Sequence, residues 1–161
     1  MPSRLITDLC AQTHAKAMEF LAAAEIVGVK LKVTDTLRTF DEQATLYALG
    51  RTKPGRIVTR AKAGEGMHNV RRAFDVAILR PADNALDFVW MDSEECAPFW
   101  HELGLLGNKH KLTWGGTWKH ADKPHFEDPW CVNCEIDVTR LVGPTALHFD
   151  QFGDCRETEQ P

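Results

Sequence analysis

The sequence predicts an α+β fold in a single domain of 161 residues. Three segments have the apolar spacing or the capping residues of helices, and two others have the composition of strands. These segments do not alternate regularly, as the strand–helix–strand units of a parallel sheet do. We therefore expect a small, mainly antiparallel sheet flanked by helices, and a chain of this length can bury one sizeable core.

The first helix is predicted over residues 7–27, where Thr7 or Asp8 could cap its start and Gly28 follows its end. Apolar residues recur within it at the spacing of one helix face, namely Ala17, Phe20, Leu21 and Ala24. After Gly28, apolar and polar residues alternate over 29–34. That period of two is typical of a half-buried strand.

The second helix is predicted to begin at Thr39. Thr39 and Glu42 have the spacing of a capping box, in which each side chain binds the backbone N–H of the other residue. Gly50 follows the last apolar residues of this segment. Residues 51–67 are rich in arginine, lysine and glycine, so we expect a loop there. A solvated surface explains its positive charge at least as well as a binding patch does.

The second half of the chain is predicted to contain a buried strand, a helix and a turn. The strand is the apolar segment 73–79, and the helix is placed over residues 93–103, although Pro98 is unfavourable in a helix interior. Residues 114–118, Trp-Gly-Gly-Thr-Trp, are predicted to turn between two short strands. The polar end of the chain after Cys155 is expected to fray.

Charge and hydropathy argue against several classes of protein. A formal net charge of −4 does not favour a broad nucleic-acid-binding surface. No segment approaches the roughly 20 apolar residues of a membrane span, and the first residues lack the apolar stretch of a secretory signal. We therefore expect a protein that stays in the cytoplasm until another factor releases it.

The five cysteines, an odd number without a secretory signal, predict reduced thiols. Cys131 and Cys134 have the spacing of half a zinc knuckle or of a redox pair. A structural zinc site needs two further ligands, which His148 and Cys155 could supply, but the sequence has no second Cys-x-x-Cys pair. We therefore favour the interpretation of two thiols near a turn.

Three residues could hold a catalytic metal. Zinc hydrolases use three histidine or carboxylate ligands and leave a position open for water, whose pKa the metal lowers to roughly 7. His68 and Asp75 are candidates because Asp75 interrupts an apolar segment, where a buried charge needs a partner such as a metal. Asp122 precedes the third candidate, His125, by three residues and could act as general base. Spacing alone does not separate this hypothesis from ordinary surface or core histidines.

Three motifs resemble those of the M15 metallopeptidases, the VanY- and VanX-like family. Residues 66–75, Gly-Met-His-Asn-Val-Arg-Arg-Ala-Phe-Asp, resemble the Ser-x-His-x-x-Gly-x-Ala-x-Asp motif, and residues 114–126 resemble the second motif of the family. Residues 38–47, Arg-Thr-Phe-Asp-Glu-Gln-Ala-Thr-Leu-Tyr, are similar to the Arg-Ser-x-x-Glu-Gln-x-x-Leu-Tyr segment of the phage endolysin branch, the L-alanyl-D-glutamate peptidases. The motifs occur in the family order and span residues 34–127.

The resemblance implies a role for each matching residue. His68, Asp75 and His125 would bind Zn²⁺ in a cleft. Asp122 would be the general base and acid, and Arg38 would orient the substrate or stabilise the oxyanion. A fixed guanidinium suits the second task because it donates paired hydrogen bonds in one plane.

Two positions depart from the family pattern. Gly66 stands where the family has serine, and this change removes a hydrogen bond to the substrate or to a ligand. Arg71 stands where the family has glycine, and it places a bulky cation at the local turn. We still expect activity, because the three ligands and the base are intact.

Several residues near the motifs have a second interpretation. Arg38 could pair with Asp35 or Glu42 on the surface, and Glu42 is more simply explained as a helix cap. Trp114 and Trp118 could be core aromatics or could line the cleft. Gly115 and Gly116 are more simply explained by a tight turn, and His120 by a solvent-exposed position. Glu127 could support the last histidine from behind, but the sequence does not favour that role.

The residues and the resemblance together predict a zinc-dependent peptidoglycan endopeptidase of the endolysin type. It would hydrolyse the L-alanyl-D-glutamate bond of the stem peptide when a phage lyses its bacterial host, and would wait in the host cytoplasm until then. We expect one domain over residues 1–161, with an extension over 128–161, acting as a monomer without nucleic acid or membrane insertion. The alternatives are a D-alanyl-D-alanine carboxypeptidase or dipeptidase, in which Arg71 would receive the terminal carboxylate, and a non-catalytic wall-binding phage module.

Overall fold

The computed structural model of the chain describes residues 3–79 and 96–130, which form three α-helices and one four-stranded sheet. The helices are α1 (Ala11–Ile26), α2 (Phe40–Ala48) and α3 (Ala97–Lys109). The strands are β1 (Lys30–Asp35), β2 (Ala73–Leu79), β3 (Thr113–Trp114) and β4 (His125–Glu127). The predicted α+β class is confirmed, and the prediction about Cys131 and Cys134 lies outside the described residues.

The sheet is antiparallel and has the order β1-β2-β4-β3. In β2 and β4, Phe74 pairs with Phe126, and Asp75 pairs with His125. Successive residues of a strand face opposite sides of a sheet, so the two buried phenylalanines lie on the core side. Asp75 and His125 lie together on the other side, and the pairing of β2 with β4 therefore brings two candidate ligands next to each other.

The core lies between the sheet and the helices α1 and α3. Phe20 of α1 packs against Phe126 and Phe74, with ring centroids 4.5 and 5.9 Å apart. Gly107 of α3 lies so close to Phe126 that a Cβ atom would come within 2.8 Å of its ring. All three rings are fully buried, and such close packing fixes the positions of β2 and β4. The same packing therefore fixes the positions of Asp75 and His125 on the polar side of these strands.

The start of α1 corrects one boundary and one prediction about the cysteines. The helix begins at Ala11, not near residue 7, because Ile6–Asp8 form a separate 3₁₀ turn. Cys10 occupies the N-cap position and is disulfide-bonded. The prediction of reduced thiols is therefore wrong for this residue, since an odd number of cysteines excludes only complete pairing. Cys96 is buried and is not part of a disulfide.

The bounds of α3 also differ from the prediction. Pro98 lies in its first turn and not in its interior, so the missing N–H of proline breaks no helical hydrogen bond. The helix continues to Lys109, beyond the predicted end at residue 103, and the predicted start at residue 93 lies outside the described residues. None of the helices in the described part of the chain is long and apolar enough to cross a membrane.

The segment that precedes the candidate ligands follows the prediction. Thr39 caps α2 as one half of a capping box: its Oγ1 accepts a hydrogen bond from the Glu42 N–H, and the Glu42 carboxylate accepts one from the Thr39 N–H. The role of Glu42 is therefore that of a helix cap. Residues 51–67 form an irregular loop, as predicted.

Candidate metal centre and active-site cleft

Three predicted ligands converge on the polar side of the sheet. The Asp75 Oδ1 atom lies 3.0 Å from His125 Nδ1 and 3.3 Å from His68 Nε2, and the two ring nitrogens are 3.3 Å apart. Each residue thus offers one ligand atom to a common point. Two imidazole nitrogens and one carboxylate oxygen form a donor set of the kind used by catalytic zinc sites, so the residues present fit a zinc ion.

His68 is oriented by the end of β1. Its Nδ1–H donates a hydrogen bond of 2.7 Å to the backbone carbonyl of Thr36, which directly follows the strand. The bond selects one tautomer and leaves Nε2 unprotonated toward Asp75 and His125. A fixed tautomer of this kind is the usual way in which a second hydrogen bond prepares a histidine to bind a metal.

His125 is oriented by Glu127, two residues later on the same strand. The His125 Nε2–H donates a hydrogen bond of 3.0 Å to the Glu127 carboxylate, which leaves Nδ1 for the ligand cluster. Both residues lie on the same side of β4 because side chains alternate along a strand. Glu127 is therefore in position to orient His125 from behind, as a supporting residue of a metal site does.

The cluster shifts the pKa values of its members. Burial by itself would raise the pKa of Asp75, but hydrogen bonds from His125 and His68, together with their charges, hold it well below its usual value. Burial would lower the pKa of His125, but hydrogen bonds to Asp75 and Glu127 raise it to about 9. The metal-free cluster therefore retains a proton on His125 that a metal ion must displace.

We expect zinc to bind more weakly as the pH falls. The raised pKa of His125, about 9, means that below this pH one proton must leave before the ring nitrogen can bind a metal. The apparent zinc affinity should therefore fall by about tenfold per pH unit from pH 9 to pH 6. Competition with a chromophoric chelator at four pH values would measure it. His101→Gln, on the exposed side of α3, should give the same profile, and a flat profile would contradict the ligand assignment.

Asp122 lines the same cleft as His68, Asp75 and His125, and this cleft has a volume of about 520 Å³. Both polar groups of its backbone are hydrogen-bonded. The Asp122 N–H donates to the Gly115 carbonyl, and the Asp122 carbonyl accepts from the His125 N–H. Asp122 is exposed as a residue. Partial desolvation within the cleft nevertheless raises the pKa of its carboxyl, and the nearby charge of Asp75 raises it further, against the opposing charges of His125, His68 and Arg38. A carboxyl with a raised pKa beside the ligands is suited to proton transfer.

Arg38 lines the cleft and is held by two neighbours. Its guanidinium forms a salt bridge with Asp35 and donates a hydrogen bond of 3.0 Å to Gln43 Oε1. The pairing with Asp35 expected for a surface residue is present, but the Arg38 side chain is mostly buried. Its Nε–H is buried and has no partner among the described residues. Arg38 is therefore a fixed cation that retains a donor.

Gln43 connects Arg38 to Thr59 and Ala61, which also line the cleft. The side chain is buried, and its amide donates to the Ala61 carbonyl at 2.7 Å and to Thr59 Oγ1 at 3.2 Å. Sequence reasoning placed Gln43 in a motif without giving it a role. Asn69, which is also buried, donates to the Arg38 carbonyl at 2.7 Å. Its position beside His68 in the sequence is the only signal of this supporting contact.

Arg71 does not reach the cleft. Its backbone has a φ of 63°, the left-handed conformation that glycine adopts most easily. The guanidinium donates hydrogen bonds to the carbonyls of Asp8 and Leu9, at 2.5 and 3.3 Å. Arg71 thus holds the N-terminal segment, and this geometry argues against it as the receptor of a terminal carboxylate. At Gly66 a Cβ atom would meet nothing closer than 3.6 Å, so the cleft has room for the serine of the family.

The two tryptophans have different roles. Trp118 lines the cleft, with its ring centroid 5.1 Å from that of His125, and 40% of its surface is exposed. Trp114 packs with the core and donates from Nε1 to the Lys123 carbonyl. Between them, a Cβ atom on Gly116 would lie 2.1 Å from the Trp114 ring, so the tight-turn interpretation of this glycine is supported.

Comparison with known proteins identifies the family. A family model described as D-alanyl-D-alanine carboxypeptidase, of the peptidase M15 group, matches residues 59–128. The peptidoglycan L-alanyl-D-glutamate endopeptidase CwlK of Bacillus subtilis (strain 168) is 36% identical over 123 residues, which cover 75% of this chain and 74% of the relative. This chain belongs to the M15 metallopeptidase family. As a member of the family it is a metallopeptidase, in agreement with the donor set of its cleft.

Solved structures share the fold of this M15 metallopeptidase. The L-Ala D-Glu endopeptidase ChiX of Serratia marcescens superimposes with a TM-score of 0.53 at 17% identity, covering 76% of this chain and 81% of that one. The vancomycin resistance D,D-pentapeptidase VanY, solved in complex with Zn(II), gives a TM-score of 0.52 at 14% identity and covers 74% and 72%. At these identities the comparison supports the fold.

Proposed function

We propose that this chain is a zinc-dependent endopeptidase that hydrolyses the L-alanyl-D-glutamate bond of the peptidoglycan stem peptide. The observation that carries the proposal is one cleft lined by the ligand set, by the Asp122 carboxyl and by the Arg38 guanidinium. The choice of bond is supported by the 36% identity to CwlK, whose name states this activity.

The ligand set and Asp122 divide the chemistry between them. His68, Asp75 and His125 would hold zinc, and when bound the ion would supply Lewis acidity that activates water and polarises a carbonyl. Asp122 accepts a proton from the attacking water and returns it to the departing amine. The new C–O bond forms first at the alanyl carbonyl carbon, and the C–N bond breaks when the proton reaches the amide nitrogen. The second proton of water then leaves the new carboxyl group for the amine, so the products are an alanyl carboxylate and a D-glutamyl ammonium group.

Arg38 acts on the carbonyl oxygen of the scissile bond. Negative charge develops on this oxygen as water adds to the carbonyl carbon, and donors that are already in place stabilise such charge most effectively. Asp35 and Gln43 hold the guanidinium in a fixed position, so little reorganisation is needed when the charge forms. Each terminal nitrogen of the guanidinium carries a second N–H besides the one that binds Gln43 or Asp35, and these are the donors for this purpose.

Product analysis tests the proposed function. Purified protein would be incubated with sacculi in the presence of zinc or of a chelator, and the products would be identified by mass spectrometry. We expect chelator-sensitive release of fragments with a new N-terminal D-glutamate. Release of D-alanine or of its dipeptide would assign the chain to the carboxypeptidase alternative. Binding of one zinc per chain without any cleavage would favour the non-catalytic wall-binding module.

We also propose that the activity serves the lysis of a bacterial host by a phage, with the enzyme acting as a monomer held in the host cytoplasm until release. This context is supported by the similarity of residues 38–47 to the endolysin branch. Induced expression in a bacterial host, with and without a membrane-permeabilising protein, would test it. Lysis should require the second protein, and lysis by this chain alone would contradict the cytoplasmic location.

A further inference from the structure

A second chamber adjoins the metal-site cleft. It has a volume of about 750 Å³ and is lined by two segments, residues 57–61 and 118–122. Five residues line both chambers, namely Val58, Thr59, Ala61, Trp118 and Asp122. The metal ligands and Arg38 line only the first chamber. The two chambers are therefore parts of one cleft, with Asp122 at their boundary.

The second chamber has uncompensated positive charge. Arg60 of the first segment and Lys119 and His120 of the second line it. All three side chains are exposed, and within the described part of the chain no hydrogen bond or ion pair engages them. Asp122 is the one acid among the residues that line this chamber. An anionic ligand could therefore bind these cations without displacing an existing partner.

An apolar wall completes the chamber. Ile57, Val58 and Trp118 are large hydrophobic side chains, yet they remain 53%, 50% and 40% exposed. Burial of such surface by a ligand is favourable. The chamber thus suits a ligand with a short aliphatic portion and a negative charge, and an acidic amino-acid residue has both.

The position of Asp122 decides which part of the substrate enters the second chamber. In the proposed reaction Asp122 returns a proton to the departing amine, so the residue that bears this amine must lie beside it. In the same proposed reaction Arg38 binds the oxygen of the scissile carbonyl, and it lines the first chamber only. The substrate therefore extends from the alanyl side in the first chamber to the leaving-group side in the second.

We infer that the second chamber is the leaving-group subsite, and that Arg60 and Lys119 recognise the free α-carboxylate of the D-glutamyl residue. This inference rests on the proposed function, since a D-glutamyl residue joined onward through its side-chain carboxyl presents its α-carboxylate. It gives the basic loop 51–67 a role in substrate selection instead of that of a merely solvated surface. A charge-assisted contact of this kind is expected to favour the acid over its amide by about tenfold.

A matched pair of substrates tests the inference with the zinc-loaded enzyme. The two stem peptides differ only in whether the D-glutamyl α-carboxyl is free or amidated. We expect KM for the acid to be about tenfold lower, with kcat little changed, because the contact does not involve the reacting atoms. Lys119→Ala and Arg60→Ala should each raise KM for the acid and leave KM for the amide unchanged. Arg56→Ala, in the same loop but outside the chamber, should change neither.

Binding of the product fragments separates this inference from the proposed function. Calorimetric titration of zinc-loaded protein with the D-glutamyl fragment and with its amide requires no turnover. Equal affinity for the two, or no binding of either, overturns the inference even if the L-alanyl-D-glutamate bond is cleaved. Preference for the acid without cleavage of either substrate overturns the proposed function and retains the subsite. A third outcome is that amidation leaves KM unchanged while removal of the sugar from the substrate raises it. If Trp118→Ala raises KM to the same extent, the chamber binds glycan and the inference is wrong.

Discussion

Replacement of Asp122 by asparagine is expected to lower kcat by about 10²–10⁴-fold, the usual contribution of a positioned acid–base group, while zinc stays bound. Asparagine keeps the size of the side chain but cannot accept the proton of water. Asp122 is not a member of the ligand cluster, so the metal affinity should change little. Steady-state cleavage of a stem peptide, together with the zinc content per chain, would measure both quantities.

The control for this variant is an acid outside the cleft. Glu102 is exposed on α3 and lines neither chamber of the cleft, so Glu102→Gln should retain wild-type kcat and zinc content. Unchanged wall lysis by Asp122→Asn with full zinc content would show that another group transfers the proton. Loss of zinc from the same variant would instead place Asp122 in the metal site.

The convergence of His68, Asp75 and His125 could be predicted because each residue carries a local signal. Asp75 is conspicuous in an apolar strand, and the motifs that contain His68 and His125 are specific in combination. The register of β2 with β4 then explains why distant segments meet, since Asp75 and His125 are direct partners. The sequence also predicted the capping box that begins α2, because Thr39 and Glu42 interact only with their immediate neighbours.

Contacts between distant segments could not be predicted from the sequence. The Thr36 carbonyl that orients His68 is a backbone atom and has no residue-type signature. Arg71 was predicted to be a possible ligand for a carboxylate, but it binds carbonyls of residues more than 60 positions earlier in the chain. The start of α1 was misplaced for a similar reason, because Asp8 forms a hydrogen bond with Ser3 and does not cap the helix. Each of these outcomes depends on tertiary packing and not on local propensity.

The second large effect is expected at Asp75. Asp75→Ala removes the one carboxylate of the ligand set and leaves two imidazoles to hold the metal. Zinc affinity should fall by more than the roughly 10–100-fold that loss of a supporting partner costs, and activity should be lost with the metal. Zinc should stabilise the wild-type protein by about 2.7 kcal/mol at a free zinc concentration of 100 times its Kd. This stabilisation should be absent in the variant. Chelator competition and thermal unfolding with and without zinc would measure both effects.

Glu127→Gln provides the graded comparison for Asp75→Ala. The glutamine oxygen can still accept the hydrogen bond from His125 Nε2, but it lacks the negative charge that makes the histidine a stronger ligand. Zinc affinity should therefore fall by only about 10–100-fold, and an excess of zinc should restore kcat in this variant but not in Asp75→Ala. If the two substitutions weakened zinc binding equally, Asp75 would be a supporting residue and the third ligand would have to be another side chain.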